Sequence, residues 1–308
     1  MGTLTTLRWI VLLFVPCTFA AGIPEDQAGQ ILAAAPAAAR VKPAKPRRAL
    51  VWNTPKHLME TDPHKGYCIP YGTEAFRVLG IKTGAYQPVI SDDLAMFIPD
   101  KLREFDVVIL NNSSGPWITP TDADMQRPEF LALGRDKQSV EAALRTSLLD
   151  FVNQGGGIAA IHYAIGGNRH WPEYHQLLGA TMDGHPWNEE VGIRIEEPGH
   201  PVAASFGGAS KTRLADEIFQ FREPYSRKDL RVLLSIDTGA TNMDVPWLRR
   251  KDNDFALAWV RCVGRGRVFY TAIGHRTEIF RNPAVLGFYL DGIQFATGDL
   301  KAPAEPVR

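Results

Sequence analysis

Between residues 49 and 161, short apolar runs alternate with stretches whose apolar positions recur at helical spacing. Ala49-Leu50-Val51-Trp52-Asn53 reads as a first strand, followed by a polar segment over 54–70. Gly72 to Gly80 reads as a helix closed by glycine. Ala85 to Ile90 is a second strand, and Ser91-Asp92-Asp93 after it offers a helix cap. A third strand, Phe105 to Leu110, runs into Asn111-Asn112-Ser113-Ser114-Gly115. From Val140 to Gln154, residues Ala143, Leu144, Leu148, Leu149 and Val152 fall on one face of a helix. Gly155-Gly156-Gly157 then lets the backbone turn, because glycine accepts positive φ without steric cost. Ile158 to Ile161 is a wholly apolar run, as expected of a strand buried on both faces of a parallel sheet. Strands alternating with helices predict an α/β, three-layer sandwich with a mostly parallel central sheet. Such sheets place ligands at the carboxyl ends of their strands, so the loops after Asn53, Leu110 and Ile161 should converge on one crevice.

The pattern changes in the second half. Trp171 to Ala180 reads as a helix ended by glycine. Val191–Ile195, Glu217–Phe221, Val232–Ile236, Ala256–Cys262 and Arg267–Ala272 read as short strands that extend the sheet or add an antiparallel edge. Gly264-Arg265-Gly266 predicts a tight hairpin turn, and Ala284 to Thr297 an amphipathic closing helix. No repeat or internal linker interrupts this body, which predicts one domain over residues 49–298 with a tail over 299–308. Residues 21–48, rich in Ala, Pro and basic groups without a pattern that buries a face, read as a flexible linker in which Asp26 to Ala39 forms a helix only transiently. Before it, Arg8, the apolar run Trp9 to Val15 and the small-x-small stretch at Thr18 to Ala21 read as a secretory signal over residues 1–20. The apolar run is too short to span a bilayer. The expectation is export to the periplasm or beyond, with no stable membrane span after cleavage.

The 308 residues suffice for a sizeable core. Lysine plus arginine (34) equals aspartate plus glutamate (34), which argues against nucleic acid as a partner. Removal of Cys17 with the signal leaves Cys68 and Cys262; an exported compartment permits a disulfide between them, but the sequence does not decide it. Cys262, at the end of an apolar run, reads as a buried free thiol. Oligomeric state stays open.

The chemistry centres on one strand end. His162 follows the central strand with Ala160 two residues before and Ala164 two after. Small flanks at that spacing suit a strand-to-helix elbow that presents one reactive side chain. His57, His185 and His275 also border apolar strands, with carboxylates at Asp216 and Glu217. His162, His185 and His275 are the candidate metal ligands, since imidazole with a carboxylate suits a divalent ion such as zinc. As acid/base groups the candidates are His162, His185 and Glu217. His57, Tyr163, Trp187 and Asp216 are the candidate substrate contacts, aromatic faces being suited to sugar rings. His170, His175 and His200 read as structural or surface groups.

Gly155-Gly156-Gly157 through His162-Tyr163-Ala164, Trp171 with Tyr174, Leu178-Gly179-Ala180, His185-Pro186, Gly199-His200-Pro201, Asp216-Glu217 and the stretch Gly264 to Tyr270 with Gly274-His275 form an ordered set. Together these resemble the ThuA-like (trehalose-utilisation) family over roughly residues 49–297. The resemblance implies a class I glutamine amidotransferase-like fold, close to the flavodoxin layout. It also implies a loop histidine after the first strand, either His57 or His64. Amidotransferases carry a cysteine nucleophile at the elbow; here the position is His162, so a thiolate acyl-enzyme is not supported. The family is linked to catabolism of disaccharides and their keto-sugar derivatives. The expectation is an exported hydrolase or lyase acting on a glycoside or keto-glycoside, its partner a small saccharide. The alternative is a non-catalytic sugar-binding or scaffolding domain on the same fold.

Overall fold

The computed structural model describes residues 22–307. Its strands are β1 (Arg48–Asn53), β2 (Gln87–Ser91), β3 (Val107–Asn111), β4 (Gly157–Ile161), β5 (Thr181–Met182), β6 (Trp187–Ile195), β7 (Lys211–Ile218), β8 (Phe221–Arg222), β9 (Arg231–Ile236), β10 (Ala256–Val263) and β11 (Gly266–Thr271). The helices are α1 (Glu25–Ala34), α2 (Lys56–Met59), α3 (Ile69–Thr83), α4 (Pro99–Leu102), α5 (Pro128–Leu131), α6 (Lys137–Asn153), α7 (Pro172–Leu178) and α8 (Pro283–Ala296).

Nine strands form one sheet in the order β2-β1-β3-β4-β11-β10-β9-β6-β7. The five from β2 to β11 are mutually parallel, and each of the next four pairs antiparallel to its neighbour. Four reversals restore the original direction, so β7 ends at the same edge of the sheet as β4 and β11. Period-2 alternation sorts the side chains into two apolar layers. Leu50, Trp52, Val108, Leu110, Ile158 and Ala160 pack with residues of α4, α6 and α7. Val51, Val107, Ile109, Ala159 and Ile161 pack with residues of α1, α3 and α8. This is the expected three-layer α/β sandwich with a mostly parallel sheet.

Local signals explain how the central strand is placed. Asp136 caps α6 by accepting from the Ser139 N–H at 2.8 Å, and the Ser139 hydroxyl accepts from Asp136 N–H at 3.2 Å, a reciprocal capping box. After α6, Gly155 turns the chain at φ 116° and releases it into β4. The hairpin between β10 and β11 turns through Gly264 at φ 56°, as its glycines predict. At the sheet's far end, β6 pairs with β9 only across Ile193–Ile195, while Trp187–Arg194 pair with β7. The first half of β6 and the end of β7 therefore leave the sheet together and bend over its carboxyl edge.

Three expectations are corrected. Residues 22–48 are not a free linker: α1 buries Ala28 and Ile31 in the core that α3 shares, and β1 begins at Arg48. Arg40 grips Asp291 through two bonds of 2.7 and 2.8 Å, and Arg47 reaches both Asp299 and Asp106. The composition concealed this because only two or three apolar residues of α1 face inward. The 299–308 tail is also pinned: Leu300 is buried, and the carbonyls of Pro303 and Glu305 contact His200 and Arg231. Cys262 is exposed beside the hairpin turn, Cys68 is buried, and both thiols are free. The secretory-signal expectation for residues 1–20 lies outside the described residues. Among the described residues, no helix is long and apolar enough to cross a membrane.

Candidate active site

His162 follows the last residue of β4 with φ 48°, a left-handed conformation uncommon outside glycine. Ala160 and Ala164 are fully buried on either side, as the elbow pattern requires. Strain of this kind persists where surrounding structure fixes it. Here the Tyr270 hydroxyl donates to the His162 carbonyl at 3.1 Å, and the Phe219 ring stacks on the imidazole at 4.3 Å.

The carboxyl end of β11 supplies the second histidine. Gly274, at φ 146°, brings its Cα so close to His162 that an added Cβ would lie 2.9 Å from Ile161 Cγ2 and 3.2 Å from His162 Cβ. Asp216, fully buried near the end of β7, accepts from the backbone N–H groups of Gly274 (2.6 Å), His275 (3.1 Å) and Arg276 (2.7 Å). Asn112, itself at φ 53°, donates to Gly274 O at 3.2 Å and accepts from Tyr163 N at 3.4 Å. Sequence reasoning missed Asn112; its signal was an amide immediately after a buried strand. Tyr67 adds a bond from its hydroxyl to His275 O at 2.9 Å.

Glu217 sits between these groups. Its Oε2 lies 3.3 Å from His162 Nε2 and 3.5 Å from His275 Nδ1, and its Oε1 lies 3.4 Å from His185 Nδ1. His162, Glu217 and His275 are all buried and present ligand atoms within 4.8 Å of one another. The trio that forms is thus two histidines and a carboxylate; His185, 39% exposed at its side chain, meets the other oxygen of Glu217 from the open side.

Electrostatics follow from burial first. Desolvation alone would raise the Glu217 carboxyl, but contact with His162 and the nearby His275 and His185 carry it below its ordinary range. Burial, reinforced by His162, lowers His275 to about 4 against the pull of Glu217, leaving it neutral at pH 7. Burial raises Asp216, against His162 and the backbone donors. The Cys68 thiol is pushed up to about 12 by burial and then by Asp216, so it is no thiolate nucleophile.

A cavity of about 540 Å³ opens over this cluster, with Tyr163, His185, Glu217 and His275 in its wall. The loops after β1, β3 and β4 all contribute, through Cys68, Asn112 and His162. Three expected substrate contacts are placed elsewhere or engaged otherwise. His57 is exposed and borders a separate cavity with Asp92 and Arg127, whereas His64 faces His275 edge-on at 5.2 Å. Trp187 is fully buried in the core, its indole N–H bonded to Asn242 O at 2.7 Å; as the first residue of β6 it points inward. Asp216 spends its oxygens on the 274–276 backbone. Tyr163 remains half-buried at the cavity, its hydroxyl accepting from Arg169 at 3.2 Å. Of the histidines read as structural, His170 pairs with Glu141 and His200 caps a short 3₁₀ turn, while His175 is buried in the cavity wall.

Residues 48–296 match the family model ThuA, trehalose utilisation. No curated protein is recognisably similar in sequence. Among solved structures, a ThuA-like protein from Bacteroides uniformis ATCC 8492 aligns with TM-score 0.60 and 21% identity, over 83% of this chain and 94% of that one. Another, from Parabacteroides merdae ATCC 43184, aligns with TM-score 0.55 and 17% identity, over 84% and 93%. At these identities the likeness is one of fold. With the family model matched from β1 to the end of α8, the chain belongs to the trehalose utilisation (ThuA) family.

Proposed function

We propose that this protein is an exported carbohydrate-processing enzyme, a hydrolase or lyase acting on a glycoside or keto-glycoside at a metal centre built from His162, Glu217 and His275. One observation carries the metal centre. The Nδ1 of His162 lies 2.6 Å from the Ala272 carbonyl, so that nitrogen donates to the backbone and Nε2 is the atom turned toward Glu217. That Nε2 is buried, has no hydrogen-bond partner among the described residues and faces the Glu217 carboxylate at 3.3 Å. An imidazole nitrogen and a carboxylate oxygen buried face to face are held together by a cation between them, and the second histidine at the same carboxylate oxygen favours a metal ion over a proton. Ligands about 2.0–2.1 Å from a tetrahedral ion lie roughly 3.4 Å apart, close to the 3.3 and 3.5 Å found. A histidine ligand held by a carbonyl on its other nitrogen is the usual outer support of such a site.

When bound, a divalent ion such as zinc supplies a Lewis acid that polarises a carbonyl or acidifies a water. The chain's own groups do the rest. His185, oriented by Glu217 Oε1 and open to the cavity, is placed to take or give the proton of a sugar hydroxyl, a water or a carbon beside a carbonyl. Asp216 holds the 274–276 backbone, and so His275, in register. The carbohydrate class is supported by the family and the export by the charged, apolar and small-residue pattern of residues 1–20.

Elemental analysis of the purified protein tests the centre: about one divalent ion per chain is expected, and its loss in His162→Ala. Turnover of a panel of glycosides and their keto derivatives, followed by NMR, tests the chemistry. A metal-free wild type would overturn the centre; saccharide binding without turnover of any panel member would favour a binding domain instead.

A further inference from the structure

Trp247 adjoins His185 of the cavity wall and is 64% exposed, where the other tryptophans among the described residues are at most 1% exposed. Its ring meets His185 edge to face, with centroids 5.3 Å apart. Its backbone is left-handed at φ 68°, which for a bulky residue is costly. A dedicated clamp holds it there. The fully buried amide of Gln220 donates to the carbonyls of Trp247 (2.6 Å) and Asp183 (3.0 Å), and accepts from the N–H groups of Arg249 (2.9 Å) and Arg250 (3.2 Å). The Gln220 backbone also exchanges bonds with Asp183 N–H and Gly184 O, binding the Trp247 turn to the segment that carries His185.

We infer that Trp247 is a saccharide-stacking platform: its exposed indole face takes the apolar face of a sugar ring whose reacting end lies against His185. An exposed indole is unfavourable in water, and a strained backbone adds to the cost, so burying the tryptophan or replacing it would be the stable choice were stability alone at stake. A polar clamp spent on keeping it exposed points to a ligand, and an indole pairs an apolar face with a ring hydrogen-bond donor, as a pyranose demands. This inference rests on the carbohydrate reading above.

The experiment is isothermal titration of the full mature chain with trehalose as the disaccharide probe and methyl α-glucoside as the single-ring probe. Trp247→Phe should keep the wild-type affinity within about threefold, while Trp247→Ala should weaken it at least about tenfold. Trp247→Gly should weaken binding equally yet raise Tm by roughly 2 °C, because glycine accepts the positive φ. If the wild type binds a probe and Trp247→Ala binds it as tightly, the platform is refuted while the carbohydrate reading stands. If the wild type binds neither probe, both fail. A dimer that dissociates in Trp247→Ala, with saccharide affinity unchanged, would assign the indole to a subunit contact and overturn the proposal.

Discussion

Glu217 Oε2 and His162 Nε2 face each other across 3.3 Å, buried, with the other ring nitrogen bonded to the Ala272 carbonyl on the far side. The contact needs a cation between the two atoms. The residues that create this opposition come from the end of β7 and the position just after β4, strands that lie five places apart in the sheet. They meet because the β6–β7 hairpin bends over the carboxyl edge.

Glu217→Gln tests the opposition directly. If a metal ion joins the pair in wild type, the glutamine amide of the metal-free variant would donate to His162 Nε2, a hydrogen bond worth about 1 kcal/mol. A rise in Tm of roughly 2–4 °C is expected after chelation. Metal affinity should fall by more than the roughly 10–100-fold typical of losing an outer support. Differential scanning calorimetry with and without chelator, beside metal titration, checks both. A variant less stable than wild type when metal-free would mean that a proton, not a metal ion, joins the pair, and would overturn the metal centre.

Asp216 acts on the site through the backbone. Asp216→Ala strips the N–H groups of residues 274–276 of their acceptor in a buried setting, at about 1–3 kcal/mol for each group left unpaired. A loss of about 3 kcal/mol or more is expected from denaturant unfolding. Asp216→Asn, which keeps one acceptor oxygen, should lose about half as much. In both, the His275 ring resonances should shift in NMR while those of His200, remote on its short turn, stay in place.

The parallel half of the sheet was legible because its strands announce themselves. Ile158 to Ile161 is continuously apolar, glycines bracket it, and the helix before it has a clear periodicity. His162 was legible for the same reason, since only a buried strand end explains alanines two residues to either side. Less was visible where function depends on long-range return of the chain. Glu217 was picked from a carboxylate pair, but nothing local says that its side chain crosses to β4 while its neighbour Asp216 turns to the backbone. Trp187 looked like a cavity aromatic because it follows His185; the pleat of β6 turns it into the core. Trp247 lies in a polar loop with no periodicity at all, and its role depends on a clamp from Gln220. The N-terminal segment misled by composition: a helix that covers a core with only a few side chains leaves almost no hydrophobic signature.

That segment supplies a stability test. Ile31 is fully buried in the core shared with α3 and α8. Ile31→Ala should cost about 2–4 kcal/mol by denaturant unfolding, as for other buried aliphatic truncations. A free linker would show a change near zero.

The Arg40–Asp291 pair gives a signed pH dependence. Burial in α8 raises the Asp291 carboxyl to about 6 even with Arg40 bonded to both of its oxygens. A folded pKa above the unfolded value means that this group favours folding when protonated, and that its contribution declines as pH climbs from about 4 through 6. Removing Arg40 takes away the charge that eases the ionised form, so Asp291 should titrate higher still in Arg40→Ala. The variant should therefore be less stable than wild type at pH 7.5. Breaking a buried pair typically costs about 3–5 kcal/mol, and the partial exposure of Arg40 reduces this to about 2 kcal/mol. Below pH 5 the carboxyl is neutral in both proteins and the difference should shrink to within about 0.5 kcal/mol, the remainder being lost packing and hydrogen bonds. Urea unfolding of the two proteins at pH 5, 6.3 and 7.5 reads this double difference, in which the other titrating groups cancel. A gap that stays constant with pH would mean that Arg40 acts by packing alone.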